Sequence, residues 1–161
     1  MEQFIKQLLA MPPGHQPEAA QLRALGEQML ALKLETQHYR AAIDSEELVH
    51  VLHEAADGPA LYLVSDVAGV RSAPHAHQTW AVIAGLAGNE LNVLYEITDA
   101  TERTVKPVSQ TPVRAGEFLC LPSTAIHATC AADAQPTYHL HLYGRPLRQL
   151  PPYASRCYRA V

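Results

Sequence analysis

The fold is decided by residues 69–96, which read GVRSAPHAHQTWAVIAGLAGNELNVLYE. Within this stretch one residue separates His75 from His77, and side chains two positions apart in a strand point to the same face. We therefore expect both imidazoles on one face, ~6.5–7 Å apart, where they can bind one cation. Strand-forming apolar residues follow, and Gly85 and Gly88 are expected at turns. Taken alone, such a pair is also typical of two exposed strand histidines.

The composition describes one folded domain. The chain has 161 residues, of which 48% are hydrophobic, and this is enough to bury a core. A net charge of −4, without a long basic cluster, argues against nucleic acid or an anionic membrane as the main partner. The first residues lack the basic region of a signal peptide, and no apolar run has the length of a membrane span.

Cysteine and histidine usage indicates the compartment and the chemistry. The three cysteines, Cys120, Cys130 and Cys157, are an odd number without CxxC spacing, which favours free thiols in a reducing cytoplasm. Of the nine histidines, five fall in three short places. This clustering points to a metal or catalytic site.

Two amphipathic helices are predicted at the start of the chain. Apolar residues recur at helical spacing in residues 2–11 and again after Pro17, and such stripes usually pack against a core. Residues 44–56 are ambiguous, because Asp44 or its neighbour can cap a helix starting at Glu46, whereas LVHVLH alternates like a strand. We expect a short helical start and then a strand over residues 50–53.

From residue 60 onward the pattern is all β. Evenly spaced short strands without helical crossovers predict a sandwich or barrel, with the jelly roll among the candidates. The strands are expected over residues 60–67, 74–85, 91–98, 103–108, 117–121, 125–130 and 137–143, with Pro112 among the turns. After Tyr143 the chain is rich in Pro and Arg. This segment is expected either as an arm across the barrel or as a solvated tail.

A second histidine pair lies in the last predicted strand. His139, His141 and Tyr143 share one face, while Leu140 and Leu142 share the other. Because the leucines belong in a core, the polar face is expected to point inward. Polar groups aligned inside a small barrel need partners or form a site.

The spacing of these landmarks resembles the two motifs of the cupin family. The landmarks are Gly69, His75, His77 and Gly88 in the first motif and Gly116, Pro122 and His127 in the second. Ala81 stands where the first motif has a glutamate. The resemblance implies a mainly-β cupin double-stranded β-helix, a jelly-roll barrel with N-terminal helices. The expected single domain comprises a helical segment (1–43), the barrel (44–143) and a C-terminal arm (144–161).

A three-histidine site without glutamate resembles the thiol dioxygenase branch of cupins, the cysteine and 3-mercaptopropionate dioxygenases. The segment from His75 to Asn92 resembles the corresponding sequence motif of that branch, and so does the segment His141-Leu142-Tyr143-Gly144. His139 stands where the second motif of the branch has a serine. The resemblance implies Fe(II) ligated by His75, His77 and His127. It also implies catalytic roles for Tyr143 and His141. Zn or Ni in purified protein is compatible with the same ligands.

The carboxylate anchors of that branch are not matched. Val49 stands where cysteine dioxygenases have an arginine, and Pro151-Pro152 where mercaptopropionate dioxygenases have one. His139, Arg71 and Arg145 are therefore the candidate substrate-binding residues. Arg148 and Arg156 are further cations nearby. Ala81 also takes the place of the cysteine that crosslinks to the tyrosine in cysteine dioxygenase, so no crosslink is expected.

Three functions are compatible with these residues. The leading hypothesis is an enzyme, a dioxygenase that adds O₂ to the sulfur of a small thiol and forms a sulfinate. The alternatives are a three-histidine oxygenase acting on a non-thiol substrate and a non-catalytic cupin that binds a metal or small ligand. The expected partners are a small molecule and O₂. A homodimer is expected only by analogy with other cupins.

Overall fold

The computed structural model describes residues 1–44 and 47–161. Both predicted helices are present: α1 spans Glu2–Leu9 and α2 spans Ala19–Ala31. At the start of α2 the backbone N–H of Glu18 donates to Gln21 Oε1 at 2.8 Å, which satisfies one of the free groups at a helix end. Among the described residues no helix combines the length and apolar character needed to cross a membrane.

Within residues 47–161 ten strands follow the two helices, and a short helix, α3, precedes the last strand. The strands are β1 Glu47–Glu54, β2 Ala60–Asp66, β3 His75–Ala76, β4 Ala81–Ala87, β5 Asn89–Asp99, β6 Thr104–Arg114, β7 Phe118–Leu121, β8 Ile126–Ala131, β9 Tyr138–Tyr143 and β10 Arg159–Ala160. Helix α3 spans Tyr153–Arg156. The predicted cupin double-stranded β-helix with N-terminal helices is confirmed.

The strands form two five-stranded sheets, with the orders β1-β2-β9-β4-β7 and β10-β6-β5-β8-β3. Except for the β10–β6 pair, the paired strands run antiparallel. Residues of both sheets meet in the barrel interior, where Tyr62, Ile83 and Tyr143 of the first sheet pack with Val113 of the second. This interior holds the polar residues described below.

Alternation along β9 separates two cores. Leu140 and Leu142 face outward and pack with Leu8 and Met29 of the helices, and all four side chains are 0% exposed. The intervening residues of β9, starting at His139, face the barrel interior. Burying four large apolar side chains stabilises the contact between helices and sheet by roughly 6–12 kcal/mol before the entropy cost. The helices therefore cover the outer face of the first sheet, and the inner face is left for chemistry.

The expected strand over residues 74–85 is wrong, because the chain changes sheets within it. β3 belongs to the second sheet and β4 to the first, and residues 77–80 connect them. In this connection Gln78 has φ 58°, the left-handed region that few non-glycine residues adopt. The turn at Gln78 interrupts the pleat, which the alternation of apolar residues does not reveal.

Two further expectations need correction. The helical start expected in residues 44–56 is wrong for the described part, since β1 already begins at Glu47, while Ser45 and Glu46 lie outside the described residues. Pro112 lies inside β6, opposite Leu91, and not in a turn. Beyond its two residues paired with β10, β6 has only β5 as a ladder neighbour, and an edge strand accepts a proline because its N–H is not needed there.

The segment after Tyr143 lies against the barrel, as in the first of its two interpretations. β10 pairs with β6, and the N–H of Tyr158 donates to Pro74 O at 2.8 Å. Arg103 Nη2 donates to Cys157 O at 2.8 Å. These contacts hold α3 beside the short strand β3, which carries the first histidine of the site.

Candidate metal centre

Three histidines converge at one end of the barrel interior. His75 on β3 is paired directly with His127 on β8, and His77 follows β3 immediately. Their candidate ligand nitrogens all lie within 4.8 Å of one another. All three side chains are buried, and no carboxylate joins this cluster among residues 1–44 and 47–161.

Hydrogen bonds at the far side of two rings orient the nitrogens that face the centre. His75 Nδ1 lies 2.9 Å from Ala73 O, and His127 Nδ1 lies 2.9 Å from Asn92 Oδ1. Because both oxygens only accept, each Nδ1 carries the proton and each Nε2 presents a lone pair. His77 Nε2 lies 2.8 Å from His127 Nε2, and His77 Nδ1 has no partner among the described residues. Converging neutral imidazole nitrogens of this kind suit a divalent transition metal.

Burial keeps these imidazoles neutral. It lowers the pKa of His75 and lowers the pKa of His77 well below its usual value. The same effect lowers the pKa of His127 to about 3. Because a metal binds only the neutral imidazole, the three rings are ready to ligate at neutral pH without first losing a proton.

Ala81 occupies the position of the cupin glutamate. It lies on β4, opposite Leu121 on one side and Tyr143 on the other, and it is 0% exposed. Its methyl group packs in the apolar interior. No carboxylate therefore reaches the three histidines from this position of β4.

Tyr143 and His141 lie next to the trio. The Tyr143 ring centroid is 4.7 Å from that of His77, and its hydroxyl is 2.9 Å from His141 Nδ1. Burial raises the pKa of Tyr143 well above its usual value, so the hydroxyl keeps its proton. A protonated phenol beside the candidate metal can act as a hydrogen-bond donor or acceptor.

Two buried residues of β5, Glu90 and Asn92, also belong to the site, although the sequence analysis did not identify them as site residues. Glu90 Oε2 lies 3.8 Å from His141 Nε2, an electrostatic contact too long for a hydrogen bond. Burial opposes both charges, yet their mutual contact holds the pKa of Glu90 below and that of His141 above its usual value. The available signal was alternation, because Glu90 and Asn92 are two residues apart and share one face of β5; the predicted strand over residues 91–98 began one residue too late to include Glu90.

A cavity of about 390 Å³ opens beside the trio. It is lined by the three histidines, by His141 and Tyr143, by apolar side chains that include Val49 and Leu147, and by Glu47, Arg71, Tyr153 and Arg156. Val49, the residue at the expected anchor position, thus lies in the cavity wall as valine. Arg71 is exposed at the cavity, whereas Arg156 is 7% exposed.

Arg156 is held by the chain around it. Its Nη1 donates to Ala76 O at 2.9 Å and its Nε to Pro151 O at 2.8 Å. The guanidinium also lies 5.7 Å from the centroid of the Tyr153 ring. No partner for Nη2 occurs among the residues that the structure describes, so one edge of a fixed cation is available to the cavity it lines.

Two of the predicted substrate-binding residues lie elsewhere. Arg145 is exposed beside Gly144 and Gln149, in a separate surface pocket. His139 is 0% exposed, does not line the cavity, and its Nε2 donates to Val113 O at 2.9 Å. Arg71 is the predicted substrate-binding residue that does line the cavity.

Comparisons with known proteins identify the fold. No protein-family model and no curated protein matches the sequence. Among solved structures, an oxalate oxidase in complex with the substrate analogue glycolate aligns with a TM-score of 0.52 and 18% identity, over 71% of this chain and 59% of that chain. The match thus spans less than two thirds of the oxalate oxidase chain.

Two further structures agree. A conserved protein of unknown function from Streptococcus pyogenes aligns with a TM-score of 0.54 and 16% identity, over 85% of this chain and 97% of that chain. A cupin 2 conserved barrel domain protein from Leptotrichia buccalis gives a TM-score of 0.54 and 17% identity, over 69% and 46% of the two chains. At these identities the likeness establishes the cupin fold alone. The chain is therefore a cupin-fold protein with a buried three-histidine cluster.

Proposed function

We propose that this protein is a non-haem Fe(II) dioxygenase of the thiol dioxygenase type, which adds both atoms of O₂ to the sulfur of a small thiol and forms a sulfinate. The observation that carries the proposal is the composition of the site. Three neutral histidines converge, Ala81 replaces the carboxylate, and Tyr143 lies against the trio. His75, His77 and His127 would hold a ferrous ion, and this ion would supply the electron transfer that O₂ needs to react with sulfur.

Because all three candidate ligands are neutral, the site favours an anionic substrate. Three neutral imidazoles leave a divalent cation with its full charge, whereas a glutamate would cancel part of it. An anionic thiolate is therefore attracted into the cavity more strongly than a neutral thioether or alcohol. The apolar lining, which includes Val64, Val70 and Leu147, excludes water from the reacting sulfur.

Tyr143 places a hydroxyl group beside the reacting atoms. Its pKa is raised by burial, so it interacts with substrate or O₂ as a neutral phenol. The hydrogen bond with His141 Nδ1 fixes the hydroxyl oxygen in place. A group fixed before the reaction needs no reorganisation when charge develops.

Arg156 and Arg71 supply positive charge for the substrate's second end. Arg156 is buried and fixed by two backbone carbonyls, so it can pair with a carboxylate at little entropic cost. We therefore propose a thiol that carries a carboxylate. The three cysteines are free, and this fits a reducing cytoplasm, the compartment we propose.

The test combines metal analysis with oxygen uptake. Natively purified protein should contain iron, and 3-mercaptopropionate should support O₂ uptake with incorporation of two ¹⁸O atoms into the sulfinate, while 3-hydroxypropionate should not. Uptake only with non-thiol substrates would favour the other class of oxygenase. A protein that contains Zn or Ni and consumes no O₂ would favour a metal-binding cupin without catalysis.

Substitution of Arg156 tests the anion-binding role. Arg156→Met should raise KM for a thiol carboxylate roughly 10–100-fold, the effect of one charge-assisted hydrogen bond. Its KM for cysteamine, which has no carboxylate, should stay the same. Arg145→Met is the matched control, because Arg145 lies outside the cavity. Equal effects of Arg156→Met on both thiols would contradict this assignment.

A further inference from the structure

Glu90 is a buried carboxylate that the proposed chemistry does not use directly. It lies on β5 in the barrel interior and is 1% exposed. Its two oxygens face different partners: Oε1 accepts from Asn92 Nδ2 at 2.8 Å, and Oε2 lies 3.8 Å from His141 Nε2. A buried charge is costly unless each oxygen has such a partner, so its presence here calls for a role.

The first contact controls a candidate metal ligand. Because a carboxylate only accepts hydrogen bonds, Glu90 fixes the Asn92 amide with its NH₂ group toward Oε1. The amide oxygen must then face His127 Nδ1, at 2.9 Å. This arrangement keeps the proton on His127 Nδ1 and the lone pair on Nε2, the atom that faces the other histidines.

The second contact controls the proton on His141. His141 Nε2 has no hydrogen-bond partner among the described residues, and the nearby carboxylate favours a proton at that nitrogen. His139, two residues earlier, does not provide this contact, because its Nε2 is engaged by Val113 O. With Nε2 protonated, the neutral form of His141 presents the lone pair of Nδ1 to the Tyr143 hydroxyl, 2.9 Å away.

We propose that Glu90 is a positioning residue that holds both sides of the site: it keeps the proton of His141 on Nε2, which orients Tyr143, and through Asn92 it orients His127. The consequence for catalysis rests on the proposed function. The positions of the protons do not, and they can be measured without metal or substrate.

The decisive experiment is NMR of metal-free protein labelled with ¹⁵N-histidine. The spectra are recorded at a pH above the measured His141 pKa, where the ring is neutral, and in the native chain its single proton should be on Nε2. Glu90→Gln retains an oxygen for Asn92 and turns an NH₂ group toward His141, so Nε2 should lose its proton and Nδ1 should gain it. Glu117→Gln is the control, since Glu117 is an exposed acid whose carboxylate accepts from the N–H of Arg114, away from His141 and Asn92. It should leave the His141 signals unchanged.

Two results would overturn the proposal. One is an unprotonated Nε2 on His141 in the native chain, and the other is an Nε2 that stays protonated in Glu90→Gln. Both can be read even if no thiol is ever oxidised, so failure of this proposal is distinct from failure of the proposed function.

Metal content and kinetics separate the two contacts. Glu90→Gln should keep its iron and its KM while kcat falls ~10–100-fold, and Asn92→Ala should instead lose iron affinity by ~10–100-fold. A merely structural role would lower iron content and thermal stability alike in both variants. Equal loss of iron in Glu90→Gln and Asn92→Ala would contradict the assignment of separate roles to the two carboxylate oxygens.

Discussion

Asp66 shows how the barrel interior acts on a single side chain. It is 3% exposed, and its Oδ1 has no hydrogen-bond partner among the described residues. Burial, assisted by the charges of Glu47 and Glu90, raises the pKa of Asp66 to about 7. In the unfolded chain the pKa of an aspartate is about 3.9. Between these two values the folded protein holds a proton that the unfolded chain has released.

The contribution of Asp66 to the free energy of unfolding should therefore fall as pH rises from about 4 to about 7, whereas the buried neutral histidines contribute in the opposite direction. Below this range both states are protonated, and the penalty disappears; above it, the penalty reaches up to about 4 kcal/mol, at 1.36 kcal/mol per unit. Asp66→Asn should remove this dependence. Urea unfolding of both chains at several pH values measures it, because the difference in the free energy of unfolding should grow with pH. Two parallel curves would contradict the prediction.

At this scale the sequence identified the histidines and missed their support. His75, His77 and His127 were predicted because their spacing resembles a known motif. Glu90 and Asn92 lie in the same stretch, but their roles depend on contacts across strands. Glu90 meets a residue of β9, and Asn92 meets a residue of β8. Such contacts follow from strand register, which the local pattern does not specify.

Among the elements, the connection between β3 and β4 best separates prediction from structure. Alternation predicted His75 and His77 on one face of one strand. Their ring centroids do lie 4.8 Å apart, but a turn at Gln78 follows them and the chain continues in the other sheet. The spacing of the histidines and of the apolar residues does not indicate that the chain passes from one sheet to the other at this point. The two imidazoles thus lie together, although the strand that carries His75 does not continue through residues 77–80.

Gly85 was expected at a turn but lies inside β4, at a point where another segment approaches closely. A Cβ added there would lie 2.2 Å from Arg114 O, a backbone atom, and Gly85 N–H donates to Glu117 O at 2.9 Å. Gly85→Ala should therefore lower the free energy of unfolding by about 1–3 kcal/mol, because backbone must shift. Gly58→Ala is the control, since its Cβ would meet only Ala55 Cβ at 3.4 Å. Denaturant unfolding measures both, and equal stabilities of the two variants would contradict this account.

For the whole molecule, the candidate metal centre joins parts of the chain that are far apart in sequence. Histidines from β3 and β8 meet in the interior, and Tyr153 of α3 packs its ring 5.2 Å from that of His75. A cation bound there would link these parts in the folded state only. Ligand binding of this kind adds about 2.7 kcal/mol at a hundredfold excess over Kd.

Fe(II), added under anaerobic conditions to metal-free protein, should therefore raise Tm by about 5–10 °C. His127→Ala should abolish the increase and the bound metal, because it removes one of three ligands. His38→Ala is the control, since His38 is exposed and far from the cluster in sequence. Calorimetry with metal analysis of the same samples provides the measurement. Unchanged metal content in His127→Ala would show that the ligand assignment is wrong.

The sheet order also bears on how fast the protein folds. β2 pairs with β9, placing Ala60 opposite Tyr143, and β3 pairs with β8. Such long-range pairing requires large loops to close before their contacts contribute, so we expect refolding in milliseconds to seconds, slower than for a helical bundle of equal length. His75 and His77 are neighbours from the start, whereas His127 joins them only when β8 docks. A cation present early in folding would therefore contact only the imidazoles of His75 and His77, and tight binding would require the pairing of β3 with β8.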